Sequence, residues 1–211
     1  MPILNDMSIP KTLDEAINNF SLTISSINGS GSTTANLILQ KTFFRMGIPV
    51  SGNNILPSNI QGLPTWYSIR VNKNGYLGRV GQDDIIVSMN QSTIDSELNF
   101  LVPGGALYYA DNIKLPNDLH DIITYPMPVK QIIKSTDAPS HLRDYLANMV
   151  YVGILTEMLG IDKDVLYQVV AKQFKGKQQA IDLNWSVIIA AAEWASINLE
   201  KKDAYSVEKM P

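Results

Sequence analysis

The 211-residue chain contains no cysteine. That excludes disulfides, thiolate catalysis, zinc–thiolate sites and ligation of an iron–sulfur cluster by these residues. Histidine is nearly absent too. His120 and His141 stand far apart, without the spacing of metal ligands, so no metal site is expected and capping or surface roles are the default. Charge is sparse: 18% of residues carry one and the net is −3. Binding along a nucleic-acid backbone needs clustered Lys and Arg, so nucleic acid is not an expected partner. No apolar run approaches the about 20 residues that span a bilayer. The longest candidate, "WSVIIAAAEWASI", is interrupted by Glu193. The N-terminus has no basic start followed by an apolar core, so no signal peptide is read there. No membrane partner is expected, and the compartment that fits is the cytoplasm.

What is present is apolar residue, 45% of the chain, enough for one sizeable core. Residues 20–27, "FSLTISSI", read as a strand, and residues 33–46 as a helix ended by Gly47. "IPV" at 48–50 is a short second strand. Residues 51–64 hold so many breakers that they read as one long ordered loop. Asn74-Gly75 marks a tight hairpin between "WYSIRV" and "YLGRV". "DDIIVSMN" reads as a central strand buried on both faces, with Asp83-Asp84 as solvated entry residues. Ser92 and Asp95 suit a capping box for a helix through Phe100, which Gly104-Gly105 breaks. "ALYYA" and "DIITYPM" are further strands, with Tyr125-Pro126 a candidate cis bond. After His141 the pattern turns helical. One stripe ends at Gly160, a second helix is capped by Asp162, and a last one carries Ile181, Trp185, Ile188 and Ala192. The fold class expected is α/β: three layers, a mostly parallel sheet with a β-hairpin addition, and C-terminal helices. The division expected is an N-terminal extension over 1–19, one domain over 20–199, and a polar tail or linker over 200–211.

The stretch after the first strand, "INGSGSTTANL", raises the question of phosphate binding. A dinucleotide fingerprint needs a third small residue and an acidic residue about 20 positions on. Thr34 occupies the first of those places and "PVSGNN" the second. No Walker lysine follows. What survives is general: a Gly- and Ser-rich turn opening a helix presents backbone N–H groups and a positive dipole end to an anion. The glycines equally serve a tight turn. Lys41 and Arg45 lie one helical turn apart and share a face, as a phosphate contact or as a solvated surface. Asn59, Gln61 and Trp66 sit in a loop specific enough to bind something, or to hold itself together. No nucleophile, base and orienting group can be named together, so no catalytic residue is assigned.

Three segments carry a resemblance: N-G-S-G-S at 28–32, F-R-M-G-I-P-V-S-G at 44–52 and P-S-N-I-Q-G-L-P-T-W-Y at 57–67. With the closing helices "NMVYVGILTEMLGIDKDVLYQVVAKQFKGK", they resemble the γ domain of 2-oxoacid:ferredoxin oxidoreductases. The version most similar is fused ahead of the α region in 2-oxoglutarate-type enzymes. The fold this implies is that of domain III in pyruvate:ferredoxin oxidoreductases. The function implied is that of a γ component, inactive alone, in an enzyme converting a 2-oxoacid and coenzyme A to acyl-CoA and CO2. Its holoenzyme would use thiamine diphosphate, Mg and an iron–sulfur cluster, none held by this chain alone. Its partners would be α and β subunits and, through them, ferredoxin. The resemblance places coenzyme or anion contact on Lys41 and Arg45 first, then on Gly29, Ser30, Gly31 and Ser32. It makes Ser58, Asn59, Gln61 and Gly62 an interface or cofactor-proximal loop. The turn here is G-S-G-S and the loop Q-G-L, where many members carry Gly-Gly-x-Gly and Arg-Gly-Gly. The alternative is a free-standing nucleotide- or CoA-binding regulatory module.

Overall fold

The structure is a computed structural model, and it describes residues 11–55 and 60–211. Among these residues, six strands form one sheet in the order β2-β3-β1-β4-β5-β6. Their ranges are β1 (Asn19–Ile27), β2 (Val50–Ile55), β3 (Pro64–Asn72), β4 (Asp83–Ser88), β5 (Leu101–Ala110) and β6 (Ile123–Met127). The run β1-β4-β5-β6 is parallel, whereas β3 pairs antiparallel with both β1 and β2. The mostly parallel sheet with a hairpin addition therefore stands, and the hairpin is β2–β3.

That moves the hairpin from the place Asn74-Gly75 indicated. The turn itself forms: Gly75 has φ +81°, and Asn72 Oδ1 accepts from the N–H groups of Asn74 and Tyr76. The segment after it adds no strand, because β3 already has β1 on one side and β2 on the other. The "IPV" strand begins only at Val50 and continues through Ile55, across residues that read as loop. Its Gly and Asn residues are tolerated there because β2 is an edge strand, less buried than its neighbours.

Among the described residues, seven α-helices complete the fold: α1 (Leu13–Ala16), α2 (Ser32–Arg45), α3 (Ile94–Leu98), α4 (Val129–Lys134), α5 (Arg143–Leu159), α6 (Lys163–Gln173) and α7 (Gln178–Asn198). Helix α2 buries Ala35, Ile38, Leu39 and Phe43, a helical spacing that puts one apolar face inward. Helices α5 and α7 pack closely because position 153 is glycine. A Cβ there would run into the carbonyl of Ile188 and meet Ala191 Cβ at 2.7 Å. Gly160 ends α5 with φ +74°, and Asp162 caps α6 by accepting from the N–H groups of Asp164 and Val165. Helix α4 has no counterpart in the sequence reading.

Four smaller expectations change. The cap near residue 92 is Asn90, whose side chain accepts from Ser92 N at the start of a 3-10 turn that leads into α3. Gly104-Gly105 lies inside β5 rather than before it. The Tyr125–Pro126 bond is trans. Asp84 is buried, not solvated. It pairs with Lys11 Nζ at 2.7 Å and accepts from Ser21 N at 2.8 Å. Buried carboxylates persist where such partners replace water.

Residues 200–211 lack helical periodicity, yet they lie against the domain. Val207 N donates to Leu159 O and Met210 N to Met46 O, each at 2.8 Å. Asn18 holds Glu208 from both sides, its Nδ2 donating to the carbonyl and its Oδ1 accepting from the N–H. Tyr205 is buried and meets Phe20 edge-on.

Candidate functional site

Strand β1 ends at Ile27, and the chain must reverse into α2 within four residues. Gly29 (φ +87°) and Gly31 (φ +85°) supply the left-handed backbone that this requires. The turn is covered by the loop before β3. Asn28 N donates to Leu63 O at 2.8 Å, Gly62 N to Asn28 O at 3.0 Å, and Asn28 Nδ2 to Ile60 O at 3.2 Å. Gln61 lies over Gly29 so closely that a Cβ at 29 would meet its Cγ at 2.9 Å. The structure therefore brings the Gly29–Ser32 turn together with Gln61 and Gly62. Ser58 and Asn59 lie outside the described residues.

The serines of the turn face inward. Ser30 Oγ is buried without a partner, and Ser30 O accepts from Asn148 Nδ2 of α5 at 2.8 Å. Ser32 Oγ accepts from Ser26 Oγ at 2.7 Å. Gly31, at the N-cap, has no side chain to cap the helix, and the N–H groups of Ser32 and Thr33 find no acceptor among the described residues. These orphan donors make the head of α2 a positive dipole end. Beside them lies a cavity of about 350 Å³ bordered by Asn28, Ser32, Asn36, Asn54, Thr65 and Tyr145. Asn36 is 3% exposed, and its Oδ1 accepts from the hydroxyl of Tyr151 at 2.7 Å. Tyr151 is fully buried on α5, and that burial pushes its hydroxyl well above the usual phenol range. It is a neutral donor at any physiological pH.

A larger cleft of about 1250 Å³ opens on the other flank of Gly31 and Tyr145. Leu142, Met149, Phe174 and Trp185 form its apolar wall, with Asp137 and Glu193 also on its lining. Lys41 and Arg45 touch neither space. They project from the last turns of α2, exposed, with Lys41 Nζ donating to Gln173 Oε1 of α6 at 2.8 Å. At 1.5 Å of rise per residue they stand roughly 13 and 20 Å along the helix from Ser32. The residues singled out in the sequence thus form two groups at opposite ends of α2. Among the described residues, no three His, Asp or Glu side chains converge as a metal site, and no helix is long and apolar enough to cross a membrane.

Sequence reasoning missed Asn36, Asn148 and Tyr151. A signal existed for Asn36. It follows Ser32 by one helical turn and interrupts the apolar face of α2 beside Ala35, where a polar residue needs a reason.

Comparison with known proteins gives one consistent picture. The profile of the pyruvate ferredoxin/flavodoxin oxidoreductase family matches residues 21–194. Ketoisovalerate oxidoreductase subunit VorA of Methanothermobacter thermautotrophicus is 27% identical over 123 residues, 57% of this chain and 24% of the relative. Subunit alpha of 2-oxoacid:ferredoxin oxidoreductase 2 of Aeropyrum pernix is 21% identical, over 82% of this chain and 33% of its own length. The chain thus spans about a quarter to a third of these curated relatives. Among solved structures, the 2-oxoglutarate:ferredoxin oxidoreductase of Magnetococcus marinus, with 2-oxoglutarate, coenzyme A and succinyl-CoA bound, superposes with TM-score 0.78 at 19% identity. The match covers 92% of this chain and 34% of that one. The gamma subunit of a keto/oxoacid ferredoxin oxidoreductase from Geobacter sulfurreducens superposes with TM-score 0.68 at 18% identity, covering 84% of this chain and 99% of that subunit. At these identities the structural likenesses establish the fold.

Proposed function

Starting from the fact that the chain belongs to the pyruvate ferredoxin/flavodoxin oxidoreductase family, we propose that it is the γ component of a 2-oxoacid:ferredoxin oxidoreductase. In this reading it works in the cytoplasm with α and β subunits that hold thiamine diphosphate and pass electrons to ferredoxin. It contributes a surface for assembly and for coenzyme A and carries no bond-breaking residue of its own. The observation that carries the reading is one of extent. The family match over 21–194 takes in five of the six strands whole, all but the first two residues of β1, and most of the helical layer. A separately solved gamma subunit is covered over 99% of its length. The absence of cysteine from this sequence fits a component that leaves cluster ligation to other chains.

Two surfaces serve coenzyme contact in this proposal. The glycine turn with Gln61 and Gly62 offers backbone donors at the head of α2. Lys41 and Arg45 offer cationic side chains for phosphate at its far end. The substrate class in this proposal is the 2-oxoacids, which lose their carboxylate as CO2, with the choice among pyruvate, 2-oxoglutarate and branched 2-oxoacids made in the α and β regions.

Reconstitution tests this. The chain combined with thiamine-binding partner subunits should restore 2-oxoacid-dependent, CoA-dependent reduction of a viologen dye, and the partners without it should not. Matched partners that turn over at full rate in its absence would overturn the reading.

A further inference from the structure

We propose that the cavity at the head of α2 is a binding site for a compact, singly charged oxyanion, with Asn36 as its side-chain donor and Tyr151 as the residue that positions Asn36. The inference rests on the reading of the glycine turn as a ligand-facing element, and it adds the residues and the ligand class.

Two independent observations meet there. The first is backbone: the free N–H groups of Ser32 and Thr33 open a 14-residue helix beside the cavity. The second is a side chain. Asn36 is 3% exposed and lines the cavity, yet among the described residues its Nδ2 has no acceptor. That NH2 group borders the cavity, so water or a ligand there must take its hydrogen bonds. The orientation of that amide follows from its neighbour. Tyr151 is fully buried, and Asn36 Oδ1 is the acceptor for its hydroxyl. Turning the amide over would leave the phenol proton without an acceptor. Tyr151 therefore fixes the oxygen inward and the NH2 group toward the cavity. Ser32 adds to the set: its Oγ already accepts from Ser26, so its own proton is free to donate.

The lining decides the class of ligand. Among the described residues it holds amides, hydroxyls and backbone N–H groups, with no Lys, Arg or His to balance two or more negative charges and no Asp or Glu to repel one. At about 350 Å³ the cavity lies at the small end of ligand sites. A carboxylate or a singly charged phosphoryl oxygen fits, and donors fixed in a partly dry site bind such a group more strongly than water-exposed ones. That chemistry has two sources, a small organic acid or a phosphoryl group of a coenzyme.

The test is 15N NMR on the whole 211-residue chain, titrated in turn with acetate, 2-oxoglutarate, inorganic phosphate and coenzyme A. The expected result is saturable, joint movement of the Ser32 and Thr33 amides and the Asn36 side-chain NH2. Response to the carboxylates assigns the small-acid source; response to phosphate and coenzyme A assigns the phosphoryl source. Asn36→Ala should weaken binding about tenfold, the worth of one hydrogen bond to a charged group. Tyr151→Phe should weaken it severalfold while leaving the backbone amide spectrum dispersed and the Asn36 NH2 signal broadened. Saturable coenzyme A binding that moves only Lys41 and Arg45 would sink this inference and leave the γ-component reading intact. A folded chain in which none of the four probes moves the Asn36 NH2 would sink it as well. The reconstitution assay decides the broader reading separately.

Discussion

Asp83 and Asp84 look alike on paper, and the fold separates them. Asp84 is ion-paired with Lys11 and bonded to Ser21. Asp83 lacks that company, and burial pushes its carboxyl up from 3.8 to about 6. The folded chain thus holds this proton more tightly than the unfolded chain does. Between about pH 4 and 6 the folded state binds more protons, so stability falls as pH rises through that window. Asp83→Asn should raise the denaturation midpoint at pH 7 and flatten its pH dependence between 4 and 6. Urea melts across that range measure both. At the candidate site, the glycine turn was legible as a turn, because Gly29 and Gly31 supply the left-handed backbone that a tight reversal needs. Asn36 was not, because its role depends on Tyr151, 115 positions away and brought close only by packing.

At the level of elements, local signals were read well where the cause is local. Gly47 and Gly160 end helices with left-handed backbone, and Asp162 caps α6 as its position implied. Asp162→Ala should cost about 1 kcal/mol of stability, and Asp162→Asn should recover most of it; thermal melts compare the two. Elements whose form depends on neighbours were misread. Strand β2 exists because β3 offers it a ladder, and its own "SGNNI" has poor strand propensity. The Asn74-Gly75 turn had the right chemistry for a hairpin but no free edge of β3 to serve. Helix α4 is six residues long, too short for its periodicity to show.

Across the whole molecule, the last residues tie distant parts together. Asp203 is buried. Its Oδ2 accepts from Tyr125 of β6 at 2.7 Å, and its Oδ1 accepts from Tyr205 N at 3.0 Å and Lys201 Nζ at 2.8 Å. From there the segment runs past Asn18, Leu159 and Met46, touching the start of β1 and the ends of α5 and α2. Asp203→Ala should lower stability by about 1–3 kcal/mol, since it orphans several buried donors. It should also speed hydrogen exchange at the Val207 and Met210 amides, which ordinary core destabilisation would not single out. The charges that made 200–211 read as a tail, Glu200, Lys201, Lys202, Glu208 and Lys209, are exposed, while Asp203, Tyr205 and Val207 between them are buried and anchor the segment.

The two outer strands bear on how any other protein can approach. Strand β6 carries Pro126, which has no N–H to offer a further ladder, and β2 is a short run of Ser, Gly and Asn. Neither border invites another chain to lengthen the sheet. Association with neighbours must then run through side-chain surfaces such as the exposed Ile27, Leu63 and Tyr145 around the glycine turn, so recognition would be set by shape and chemistry at that rim rather than by strand addition.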